Sequence, residues 1–174
     1  MKRLFLMIVL SASLLGANEE ANNALGGVVS SGFGSGISYR SLDNEGYSQH
    51  AFTIFGSKND ERSEFYINYG FSLGHYLYSA TSNFHLKTIA GVDIGFEEDT
   101  FFTSQAESKA RLNENGDDSN KDIFAITGAG FGIEYGSRKA GGVLLALDLM
   151  YRIRVSQERT EVGPGMGIEL FFNW

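Results

Sequence analysis

Apolar side chains recur at every second position in one segment of this chain after another. From 162 onward, Val162, Pro164, Met166, Ile168, Leu170, Phe172 and Trp174 alternate with Gly163, Gly165, Gly167, Glu169, Phe171 and Asn173. Successive side chains of an extended chain point to opposite faces, so this segment reads as a strand with one greasy and one small or polar face. The same period runs through Phe65, Ile67, Tyr69, Phe71 and Leu73 against Tyr66, Asn68, Gly70, Ser72 and Gly74. It returns at Val143, Leu145, Leu147, Leu149, Tyr151, Ile153 and Val155. No comparable helical period follows the first residues, so the fold class is all-β.

The alternation predicts eight strands, near 27–41, 47–57, 63–74, 84–96, 100–112, 122–136, 142–156 and 162–174. Phe33, Ile37 and Tyr39 share the apolar face of the first, and Phe55 breaks the phase of the second. Turns are expected at Asp43–Gly46, at Lys58–Arg62 and at the acidic Glu97-Glu98-Asp99. The polar strand 100–112 is included because a structureless 97–122 would be unusually long for a compact domain. It also makes the strand count even, which brings both termini to one end. The loops 42–46, 75–83, 113–121 and 157–161 then share the opposite end. Pro164, which cannot donate to a ladder, is expected at the rim.

Composition adds a compartment. Lys2 and Arg3 precede the apolar run Leu4–Leu15 and the small Gly16-Ala17, the layout of a secretory signal peptide over 1–17 with one domain over 18–174. Removing the leader lowers Lys plus Arg from 14 to 12 against 21 Asp plus Glu, a balance opposed to nucleic-acid binding. There is no Cys, hence no disulfide framework. No later stretch approaches a membrane-spanning helix. The 22 Gly, 14 Phe and 8 Tyr suit strands instead.

With the greasy faces turned outward, the other faces form an interior. That set holds Arg40, His85, Lys87, Asp93, Glu107 and Lys109, together with Arg111, Glu134, Asp148, Arg152, Arg154 and Glu169. Both signs are present, so internal ion pairs can offset desolvation. A soluble lipocalin-like barrel would be apolar inside and charged outside. The pattern therefore predicts an eight-stranded antiparallel transmembrane barrel of up-and-down topology, bounded by girdles of Tyr39, Tyr69, Tyr135, Tyr151 and Trp174.

The leader, the alternating strands and the ending Met166-x-Ile168-x-Leu170-x-Phe172-x-Trp174 resemble the small Gram-negative outer-membrane β-barrels, the class of the OmpA barrel domain and the OmpX-like proteins. The resemblance covers the mature chain in pattern and in no narrower motif. It implies an outer-membrane location among lipid and lipopolysaccharide, and a monomer. It also implies handling by the barrel-assembly machinery, with Met166, Ile168, Leu170, Phe172 and Trp174 as the assembly signal. Terminal Phe is the commoner form, and Trp174 departs from it.

Eight strands enclose little more than their own side chains, so a structural or surface-interaction role is expected ahead of a small porin-like channel. A lipid A-modifying enzyme is the third reading; His50, His75 and His85 are present, with Ser79 and Ser82 close behind His75, but in no triad spacing. Asp118-Ser119-Asn120-Lys121-Asp122 alternates oxygen donors but lacks the Gly and Glu of a calcium loop, and reads as a solvated loop. No catalytic residue, metal or cofactor is assigned.

Overall fold

A computed structural model describes residues 20–58, 62–81, 83–101 and 118–174. The leader 1–17 lies outside them. Eight strands follow in order: β1 (Asn23–Ser30), β2 (Gly36–Leu42), β3 (Gly46–Lys58), β4 (Arg62–Thr81), β5 (Phe84–Phe101), β6 (Asp118–Gly136), β7 (Val143–Ser156) and β8 (Thr160–Asn173). Each pairs antiparallel with the next, and β8 pairs with β1, so the sheet closes into a ring. The described residues contain no helix long and apolar enough to cross a membrane, which says nothing of strands.

Carried rung by rung, Leu25 leads through Tyr39, His50, Phe71, Val92, Thr127, Ile153 and Val162. With Ser30 opposite Gly167, the path returns to β1 at the level of position 35, ten residues on. That offset over eight strands tilts them by roughly 40°. Side chains obey the alternation. Val29, Ile37, Leu149, Tyr151, Met166 and Ile168 are exposed outside, whereas Arg40, Lys87, Glu134 and Glu169 are buried inside.

The described residues form eight strands, but not the eight expected. The segment 27–41 is two strands, β1 and β2, joined by a turn at 31–35. Ser30 holds that turn, its hydroxyl accepting from the amides of Gly32 and Phe33 while Ser35 Oγ donates to its carbonyl. Gly34 and Gly36 sit at φ +85° and +109°, where a side chain is strained. Phe33, expected outside, is buried inside. At the other long connection, Glu97-Glu98-Asp99 do not turn. They continue β5 between Tyr66–Glu64 of β4 and Asp122–Asn120 of β6. Residues 118–122 likewise belong to β6 rather than to a loop. Of the expected strand 100–112, Thr100 and Phe101 close β5, and 102–117 lie outside the described residues.

These changes reassign the ends. The start of β1 and the end of β8 share one end of the ring with the turns 43–45 and 137–142 and the junction of β4 with β5. The ends of β1, β3, β5 and β7 share the other, so 42–46 and the described residues of 75–83 lie opposite to where the alternation alone put them.

The wall is uneven in height, because β1 and β2 are short. β2 pairs with β3 only as far as Phe52, and β1 with β8 only as far as Gly167. Beyond, 53–58 of β3 and 160–165 of β8 have a strand neighbour on one side only among the described residues. Pro164 lies on this open edge, where its missing N–H interrupts no ladder. The turn 31–35 folds inward beneath the gap. The Phe33 carbonyl and Gly34 lie against Gly70 of β4, the Phe33 ring reaches Gly91 of β5, and Gly32 faces Met150 of β7.

A Cβ at Gly70 would overlap the Phe33 carbonyl. Gly70→Val should cost about 1–3 kcal/mol through overpacking, read as a lower unfolding midpoint in urea. Gly56→Ala, where the nearest atom is 3.9 Å away, should leave the midpoint in place.

Candidate functional site

The inward turn divides the interior in two. Toward the termini lies a sealed ionic chamber built from facing strands. Arg40 on β2 donates through Nη1 to Glu134 Oε2 on β6 and through Nη2 to Glu169 Oε2 on β8, each at 2.5 Å. Its Nε and Nη2 reach Gln49 Oε1 at 3.0 and 2.8 Å. The guanidinium carbon sits 3.7 Å from the Tyr47 ring centroid and 4.2 Å from that of Phe171, so both π faces are covered. Lys87 on β5 reaches Tyr47 Oη at 2.8 Å, Asp148 Oδ1 at 3.1 Å and Glu169 Oε2 at 3.2 Å. Gln49 Nε2 donates to Glu169 Oε1 at 2.9 Å, and Tyr76 Oη to Glu134 Oε1 at 2.9 Å.

Two cations thus face three carboxylates, all buried. Isolated, each would cost several kcal/mol to desolvate. Shared among five charges, Gln49 and two tyrosines, the penalty is offset by short charge-assisted hydrogen bonds. One rung nearer the termini the inward positions turn apolar, with Leu144, Phe171, Ala24 and Leu42; one rung beyond Lys87 and Asp148 come Ile89 and Met150, with Phe33 laid across. The chamber is closed at both ends by hydrocarbon. Such packing is a polar core of side chains rather than an open lumen.

The other half is an open-sided cup. Asn68 Nδ2 donates to both Asp93 oxygens at 3.1 and 3.2 Å. Tyr66 stacks on Phe124 at 6.1 Å, and Arg154 lies 4.4 Å over the same Phe124 ring. Arg154 pairs with Asp122 at 3.2 Å and Glu97 at 3.8 Å. Arg152 behaves differently. It donates to the Ser31 carbonyl at 2.7 Å and makes no ion pair among the described residues.

The interior residues expected from the alternation therefore fall into separate groups. Arg40, Lys87, Glu134, Asp148 and Glu169 meet in the chamber, with His85 buried at its edge. Asp93, Arg152 and Arg154 face the cup, and Glu107, Lys109 and Arg111 lie outside the described residues. Gln49, Tyr47, Tyr76 and Asn68 were not singled out from the sequence, although the alternation of β3 and β4 puts them on the inward face. Met166, Ile168, Leu170, Phe172 and Trp174 all point outward. Trp174 packs beside Tyr39 at 6.3 Å, and its amide donates to the Asn23 carbonyl at 3.0 Å, which ties the chain end to β1.

The serine–histidine contact is not the one that the sequence brings close. Ser79 lies 2.8 Å from His85 Nδ1, two bulges having shifted the end of β4. His75 points outward. The carboxylate opposite His85 in register, Glu134, is engaged by Arg40 and Tyr76. No group of three or more His, Cys, Asp or Glu among the described residues could hold a metal ion. Compared with family models, curated proteins and solved structures, the chain matches none.

Removing one partner of a buried ionic cluster strands the rest. Arg40→Ala should cost about 3–5 kcal/mol, measured by urea unfolding in lipid or detergent. Glu161→Gln, which breaks the solvated Arg159–Glu161 pair, should change stability by less than about 0.5 kcal/mol.

Proposed function

We propose that this protein is an integral β-barrel of a Gram-negative outer membrane with a structural or surface-interaction role. The observation that carries the reading is the inversion of the ring. Outward positions from Ile123 to Tyr135 on β6, and along β7 and β8, are exposed and, apart from Thr127 and Thr160, apolar, while Arg40, Lys87, Glu134 and Glu169 have at most 3% of their surface exposed. In water such an outer face would be one large uncovered apolar patch, a condition soluble monomers avoid. In lipid it is the required one, because the ring satisfies its own backbone wherever neighbouring strands pair, leaving 53–58 and 160–165 as open edges among the described residues. From Ile123 to Tyr135 the tilted strand rises roughly 30 Å, the thickness of a hydrocarbon core. Beyond that band the outer surface turns polar, with Lys121 and Glu98 paired at 3.2 Å.

The sealed chamber favours the structural role over a porin-like channel, since conduction would require opening a five-charge cluster between two apolar layers. The lipid A-modifying reading has least support, because the Ser79–His85 contact has no free carboxylate opposite it in register. In planar bilayers the purified protein should give no stable discrete openings; a reproducible unitary conductance would transfer the assignment to a channel.

Sidedness is expected to follow the resemblance, with the termini periplasmic. In intact cells an impermeant thiol reagent should label Glu158→Cys and spare Asn44→Cys and Lys139→Cys until the outer membrane is permeabilised. The opposite labelling would reverse the orientation. Labelling of all three in a soluble fraction would remove the membrane reading.

A further inference from the structure

Building on the membrane reading, we infer that the gap in the wall above the β1–β2 turn is a lateral binding site for an acyl amphiphile with an anionic head. The gap is bounded by the unpaired edges of β3 and β8 and replaces two strands, so it is about 14 Å wide. Its outer flanks carry exposed apolar side chains, Ile54 on one side and Val162, Pro164 and Met166 on the other. On that reading it opens at a depth where hydrocarbon is the surrounding phase, and the polar cup into which it leads is what can solvate the unpaired backbone of the two edges.

Four observations select the ligand. Phe55, whose phase looked faulty in the sequence, shares the inward face with its partner Tyr66, yet stays 52% exposed because nothing described stands opposite it. A large ring uncovered on an inward face fits an acyl chain passing the edge. Across the gap Arg152 sits between Gly128 and Gly163 in register, without a carboxylate among the described residues, while neighbouring Arg154 has two. Its guanidinium uses one donor on the Ser31 carbonyl, leaving others for a carboxylate or phosphate oxygen. Gly163 provides the room, since a Cβ there would meet nothing within 4 Å. Pro164 denies that edge to a pairing strand, which favours a ligand over β-augmentation.

The test uses single-tryptophan proteins in phosphatidylcholine vesicles, in a Trp174→Phe background. Leu149→Trp, on the outer face, should be quenched by brominated phosphatidylcholine. Phe55→Trp should be quenched several-fold more by a few mole per cent of dibromostearic acid than by its methyl ester, at a pH where the acid is ionised. Arg152→Gln should abolish that difference, and Gly163→Phe should block quenching by the acid while the protein remains folded by its heat-modifiable migration. Equal quenching by acid and ester, or a preference that survives Arg152→Gln, overturns the site and leaves the barrel standing. Absence of quenching at Leu149→Trp overturns both.

Discussion

The Arg40 guanidinium, clamped between the Tyr47 and Phe171 rings and between the Glu134 and Glu169 carboxylates, is the contact on which the rest of the ring depends. It joins β2, β3, β6 and β8 across the lumen, so strands that are distant in sequence and not neighbours in the sheet share one bonded centre. A narrow ring whose greasy faces point outward is left with mainly polar side chains at its centre, between the apolar layers of Leu144 and Phe171 and of Ile89 and Met150. The polar groups hold together only as a satisfied network, because an unmatched buried charge costs more than a lost hydrophobic contact. Lys87, Asp148, Gln49 and Tyr76 complete that network.

Glycine decides how the space is divided. Gly32, Gly34, Gly70 and Gly91 let the backbone of one short hairpin tip lie against opposite walls, so Phe33 reaches across the lumen as a floor. Below it the interior is sealed and ionic. Above it the same hairpin is too short to finish the wall, and the cup opens sideways. One local feature thus closes the axial route and creates the lateral one.

Much of this was legible in the chain. β6, β7 and β8 keep a strict period of two, as β4 does up to Tyr76 before its bulges, and their inward and outward sets are those the alternation assigns. The misreadings have physical causes. Phe33 fits the outward phase of Ile37 and Tyr39, but the glycines and serines around it allow a turn that reverses its direction. Glu97-Glu98-Asp99 carry the chemistry of a turn, yet they extend β5 past the apolar band, where a strand is solvated and its outer face holds ion pairs such as Glu98–Lys121. The two errors cancel in the strand count and not in the sidedness of the turns. The chamber's membership was partly visible from parity; which charges meet across it depends on the ten-residue register shift, which no local pattern encodes.

On the proposed reading the alternating faces meet lipid on one side and a closed polar core on the other. The chain has no Cys, so single cysteines spin-labelled along 145–153 of β7 in phospholipid vesicles read both faces directly. The account predicts that labels at 145, 147, 149, 151 and 153 collide with oxygen and not with a water-soluble nickel chelate, whereas those at 146, 148 and 150 collide with neither. Nickel access at the odd positions would contradict it.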